Sequence, residues 1–139
     1  MARRGFLLAL LAASAAAQPV AAWRYHGQDC GGVTLTADGS PTIPSVCTVL
    51  WRGVAGRAQY LIEATRPDLM PFGPCAEILA APIRVTLVPQ HVDRYLLFIP
   101  LDPTLIGVRG SFQVVVMTQG VVDGATRVAE YEVGLLKSD

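Results

Sequence analysis

Three cysteines, Cys30, Cys47 and Cys75, are the residues of this chain with the most chemistry to offer. In an oxidising compartment three thiols form at most one internal disulfide and leave one over. Each of the three pairings is open on the sequence. Cys30–Cys47 and Cys47–Cys75 stand level, with Cys30–Cys75 close behind. A bridge closing a loop of this length is worth roughly 3 kcal/mol. The leftover thiol is expected either to lie buried as a small apolar group, or to join two chains as a covalent dimer or serve as a redox handle.

Metal chemistry is not expected. His26 lies four residues before Cys30 and His91 is remote. No Cys-x-x-Cys pair exists, and no spacing follows a zinc pattern. A copper site needs histidine and methionine soon after its cysteine, but Cys75 is followed by Ala76-Glu77-Ile78-Leu79. His26 reads as a surface residue near the N-terminus and His91 as a solvated turn residue. Nucleophilic catalysis has no better footing. Ser40 and Ser45 lie in a proline-rich loop, Ser111 opens a strand, and none has the Gly-x-Ser-x-Gly elbow. Asp29, Asp38, Asp68, Asp93, Asp102 and Asp123 sit at turns, where local hydrogen bonding accounts for aspartate. Glu63, Glu130 and Glu132 read as solvated strand positions rather than paired catalytic carboxylates. No enzyme, cofactor or metal carrier is therefore the leading expectation.

The first 22 residues supply the compartment. Arg3 and Arg4 form a basic head, and residues 6–17 form an apolar stretch too short for a stable bilayer span. Small residues around Gln18-Pro19-Val20-Ala21-Ala22 follow, which is the plan of a secretory leader. Two cuts satisfy the small-residue rule, after Ala22 or after Ala17. The helix break at Pro19 favours Ala22. Arg3-Arg4-Gly5-Phe6-Leu7 resembles the bacterial twin-arginine leader, whose cargo is often exported folded and sometimes carries a cofactor. The downstream chain offers no site for such cargo, which favours an ordinary basic head. Lys137 is the only lysine and asparagine is absent, the codon signature of a GC-rich bacterial genome. A periplasmic or secreted location follows.

Removing residues 1–22 leaves 117 residues, one domain's worth, with 9 basic and 11 acidic side chains. That balance gives no pull toward nucleic acid, and membrane insertion of the mature chain is not expected. The elements that must carry these residues read as strand after strand. Seven short runs, at 33–37, 47–52, 59–66, 83–88, 95–101, 111–119 and 127–136, are rich in β-branched and aromatic residues and separated by Gly and Pro. The reading is an all-β domain over 23–139, a single small β-sandwich of the immunoglobulin-like kind. A small closed β-barrel is the alternative. The stretch 74–81 is expected to form one or two helical turns, and Asp123-Gly124 a turn.

Strand parity assigns faces. Ile83, Val85 and Leu87 are expected to share one face, with Arg84 and Thr86 opposite; Phe112, Val114 and Val116 are expected inside, as are Ala129, Tyr131, Val133 and Leu135. Glu130 and Glu132 are expected in water. Two strands are apolar on both faces. Leu96 and Phe98 oppose Leu97 and Ile99, and Val115 and Met117 share a face with Gln113. Either a loop or the short helix covers these strands, or Leu96, Phe98, Val115 and Met117 form a patch for a protein partner. The functional expectation is an exported, non-enzymatic sandwich that binds or assembles with a protein. A surface-fibre subunit and a small exported enzyme or metal carrier are the other classes.

Overall fold

The computed structural model describes residues 18–73 and 75–135. Eleven strands run in order: β1 (Ala22–His26), β2 (Thr34–Asp38), β3 (Ser45–Arg52), β4 (Ala58–Ala64), β5 (Leu69–Phe72), β6 (Ala76–Leu79), β7 (Arg84–Val88), β8 (Arg94–Ile99), β9 (Arg109–Thr118), β10 (Val121–Ala125) and β11 (Val128–Glu132). A 3-10 turn, Pro103–Leu105, is capped by the Asp102 carboxylate, which accepts from the Thr104 N–H. The expected seven runs all become strands. The expected helix over 74–81 does not form: this region is the far half of the antiparallel β5–β6 hairpin, with Leu69 opposite Leu79 and Phe72 opposite Ala76.

The large sheet has the order β1-β11-β9-β4-β7, with β10 also paired to β9; the small sheet is β2-β3-β8. They pack face to face as a sandwich, and the sheet does not close into a barrel. Alternation explains the core between them. Leu35, Val49 and Trp51 from the small sheet meet Leu61, Phe112, Val114, Val116 and Ala129 from the large one. Tyr131, stacked on Phe112 and edge-on to Trp23, closes one end of that core. The β5–β6 hairpin forms a third layer. Ala76 and Leu79 pack on Ile62, Ala64, Val115 and Val128, the outward side chains of the large sheet.

Ile83, Val85 and Leu87 share a face that is exposed, and Val88 enters the core. The register pairs Val85 with Ile62 and Leu87 with Tyr60, which fixes them to the outer face of an edge strand. Leu135 is also exposed rather than in the core. Glu130 and Glu132, expected in water, are buried, with basic side chains from the neighbouring strands β1 and β9 beside them. His26 Nε2 sits 3.0 Å from Glu130 Oε1. Arg24 and Arg109 place Nη1 and Nη2 at 2.9 and 3.1 Å from Glu132 Oε1. His26 is thus a strand residue with an acidic neighbour rather than a loose surface histidine. Asp123-Gly124 is a bulge within β10. The turn lies earlier, where Gln119 and Gly120 both have positive φ, the two-residue hairpin geometry matched to strand twist.

Candidate functional site

The cysteines divide as one bridge and one buried thiol. Cys30 and Cys75 are joined, with Cα atoms 6.0 Å apart, so the pairing ranked last on the sequence is the one formed. Cys30 is anchored by two backbone hydrogen bonds with Ala125, and Cys75 stands at the start of β6. The bridge thus ties the β1–β2 loop to the hairpin that covers the large sheet. Cys47 lies on the inner face of β3 and is fully buried beside Ile99 and Val133. Burial pushes its thiol above the ordinary 9.0, partly offset by the Ser45 hydroxyl 3.8 Å away. A disulfide to a second chain would require opening the fold, so the covalent dimer is not supported. The register pairs Asp38 of β2 with Thr48, so Cys47 lies at the loop end of the β2–β3 ladder.

The four apolar residues read as one patch do not form one. Val115 and Met117 lie on β9 in the large sheet. Val115 is 4% exposed beneath the hairpin layer, and Met117 is half-buried. Leu96 and Phe98 lie on the outer face of the small sheet, on the opposite side of the sandwich. Among the described residues no third layer covers them there, and they are 45% and 68% exposed. The reason is topological: the hairpin caps only one of the two sheets.

The structure completes the exposed pair with residues the sequence reading missed. β8 pairs with β3 so that Phe98 stands directly opposite Val46, and Leu96 opposite Thr48. Val46 is 54% exposed. Pro44 and Pro100 flank the same end of the sheet, and Leu101 just beyond is 74% exposed. Pro44, Ser45, Val46, Phe98, Ile99 and Pro100 line a shallow, open apolar depression of about 620 Å³. The signal for Val46 was available: once Cys47, Val49 and Trp51 face inward, Val46 must face outward. At the other end of this face Arg52 and Arg94 are exposed beside Leu50, so the apolar strip is bounded by charge.

A second concavity opens between the sheets. Its volume is about 240 Å³, with Trp51, Leu61, Val88 and Tyr95 on the walls and Glu63 and Arg84 at the rim. Glu63 and Arg84 are paired at 3.4 Å. Just beyond them Gln59, fully buried, accepts from Trp51 Nε1 at 2.7 Å and donates to Pro89 O and Val92 O at 2.6 and 2.8 Å. This network fixes the crossing from β7 to β8 and so sets where the exposed face of β8 lies. Gln113 does the same for the hairpin: its amide donates to Glu77 O and Thr126 O and accepts from the Leu79 N–H. It points outward as expected but is buried by the layer it holds.

Of the acid and base candidates, His91 and Asp93 are exposed in the turn between β7 and β8. Asp93 is held below the usual carboxylate range by hydrogen bonding to Arg94, and Asp102 by the Thr104 hydroxyl. Burial raises Tyr131 above the ordinary 10.0, with Glu63 adding to the shift. Ser40, Ser45 and Ser111 share no hydrogen bond with a histidine. Among the described residues no three His, Cys, Asp or Glu side chains gather closely enough to hold a metal ion, and no helix is long and apolar enough to cross a membrane. The arrangement presents an exposed apolar surface on a disulfide-tied sandwich. Comparison with protein-family models, with curated proteins and with solved structures gives no match to this chain.

Proposed function

We propose that this chain is an exported bacterial β-sandwich, non-enzymatic, that binds a protein partner through the outer face of β2-β3-β8. The observation that carries the reading is the uncovered cross-strand pair Val46–Phe98 with Leu96, Pro44, Pro100 and Leu101 around it. Contiguous apolar surface of this kind is costly to leave in water and characteristically marks an interaction site. An aromatic centre with an aliphatic surround and a charged border is the composition of a binding hot spot. The intramolecular disulfide and the leader-like residues 1–22 support a location outside the cytoplasm. The fibre-subunit reading gains no support from the first strand, since β1 is paired along its whole length with β11.

The test is site-specific photo-crosslinking in the native cell from position 98, with Leu96→Ser as the competing variant. A discrete adduct that is lost or strongly weakened by Leu96→Ser is the expected result. Phe98→Ser should weaken capture by about 30-fold or more, the effect of losing a 2 kcal/mol hot spot. An adduct pattern indifferent to Leu96, or no adduct beyond diffuse background, would overturn the proposal.

A further inference from the structure

We infer that the export leader is cut after Ala17, so that the mature chain begins at Gln18. This rests on the export reading above. Both Ala15/Ala17 and Val20/Ala22 satisfy the small-residue rule, and on the sequence the helix break at Pro19 favours the second. The fold favours the first. The Ala22–Trp23 bond lies inside β1, where Ala22 is in register with Glu132 and Trp23 with Tyr131.

Residues upstream of that bond are built into the same structure. The Ala21 N–H donates to Leu135 O at 3.0 Å, and the Leu135 N–H donates to Pro19 O at 3.2 Å. Val20 and Leu135 form a bridge. Gly134 is where this segment is packed most tightly. A Cβ there would fall within 2.6 Å of Pro19 O, Val20 C and Ala21 N. On its other side the Gly134 N–H donates to Pro41 O at 3.2 Å. The backbone of 19–21 therefore occupies the space that glycine leaves. A segment discarded on export would have no reason to complete the end of the large sheet. A cut after Ala17 leaves all of these contacts in the mature chain and falls two residues before the first of them.

The experiment is the intact mass of the full-length gene product recovered from the periplasm of a bacterial host. The expected mass is that of residues 18–139, or that mass less one ammonia. The loss arises if the freed α-amine of Gln18 attacks its own side-chain amide carbon, closing a lactam and expelling the amide nitrogen. Ala17→Gln places a bulky residue before the bond and should leave the chain uncut or cut elsewhere. A mass of 23–139 would overturn the inference while leaving export intact. An uncut wild-type chain found only in the cytoplasm would overturn the export reading itself.

Discussion

Replacing Gln59 with leucine tests whether one buried amide holds the two sheets in register. Gln59 is fully buried, and its side chain spends all three of its hydrogen bonds on Trp51, Pro89 and Val92. Leucine is close in volume, so little cavity results. The main loss is the Trp51 Nε1–H, left without a partner on a side chain that is only 2% exposed. An orphaned buried donor costs about 1–3 kcal/mol. The carbonyl of Pro89 belongs to an exposed residue and that of Val92 to a half-buried one, so water replaces the amide there at small cost. The total is about 2 kcal/mol, which lowers Tm by roughly 10 °C for a domain of this size. Urea unfolding followed by far-UV circular dichroism measures it. A double-mutant cycle isolates the cause. On a Trp51→Phe background no indole N–H remains to be orphaned, so Gln59→Leu should cost about 1–2 kcal/mol less than in wild type. Equal costs in the two backgrounds, within about 0.5 kcal/mol, would refute the account.

Four further outcomes are expected. The Cys30–Cys75 bridge spans 45 residues, so replacing both with serine should cost about 4 kcal/mol by the loop-entropy relation, read as a lower urea midpoint under non-reducing conditions. Folding raises the Cys47 and Tyr131 pKa values, so the native state holds protons the unfolded chain releases. Stability should therefore be fully present below pH 9 and fall as pH rises past it; Cys47→Ala should flatten the first part of that fall and Tyr131→Phe the next. Gly110 faces Tyr131 across β9 and β11, and a Cβ there would lie 2.5–2.6 Å from the ring, so Gly110→Ala should destabilise by about 1–3 kcal/mol in the same urea assay. The double variant Leu96→Ser/Phe98→Ser should unfold within about 0.5 kcal/mol of wild type per site, because both side chains already lie in solvent; a large loss would mean they are core.

The all-β class and the seven strands β2, β3, β4, β7, β8, β9 and β11 were legible because alternation and Gly/Pro punctuation are local signals, whereas β6 was read as helical turns. The inward face of β9 was legible too, where Phe112, Val114 and Val116 alternate with Ser111, Gln113 and Val115. The edge strand β7 was legible as an alternating strand, but not which of its faces would be buried. Ile83, Val85 and Leu87 alternate as a buried face would, yet an edge strand can leave that face outside while Val88 alone enters the core. The acidic pair Glu130 and Glu132 was misread because their partners, Arg24, His26 and Arg109, come from two neighbouring strands that local sequence does not reveal.

By itself the sequence determined that three thiols could give one bridge and one spare, that the chain folds as strands, and that β8 and β9 are apolar on both faces. Those are properties of composition and of period-two alternation, which need no neighbours. Only the tertiary structure decided which cysteines meet, because the Cys30–Cys75 distance depends on where the β5–β6 hairpin docks. The same docking separates β8 from β9. A hairpin stapled by Gln113 covers Val115, and among the described residues nothing equivalent covers Phe98. Two strands with the same pattern thus have opposite fates, since burial is set by which sheet receives a third layer, and no strand carries that information in its own residues.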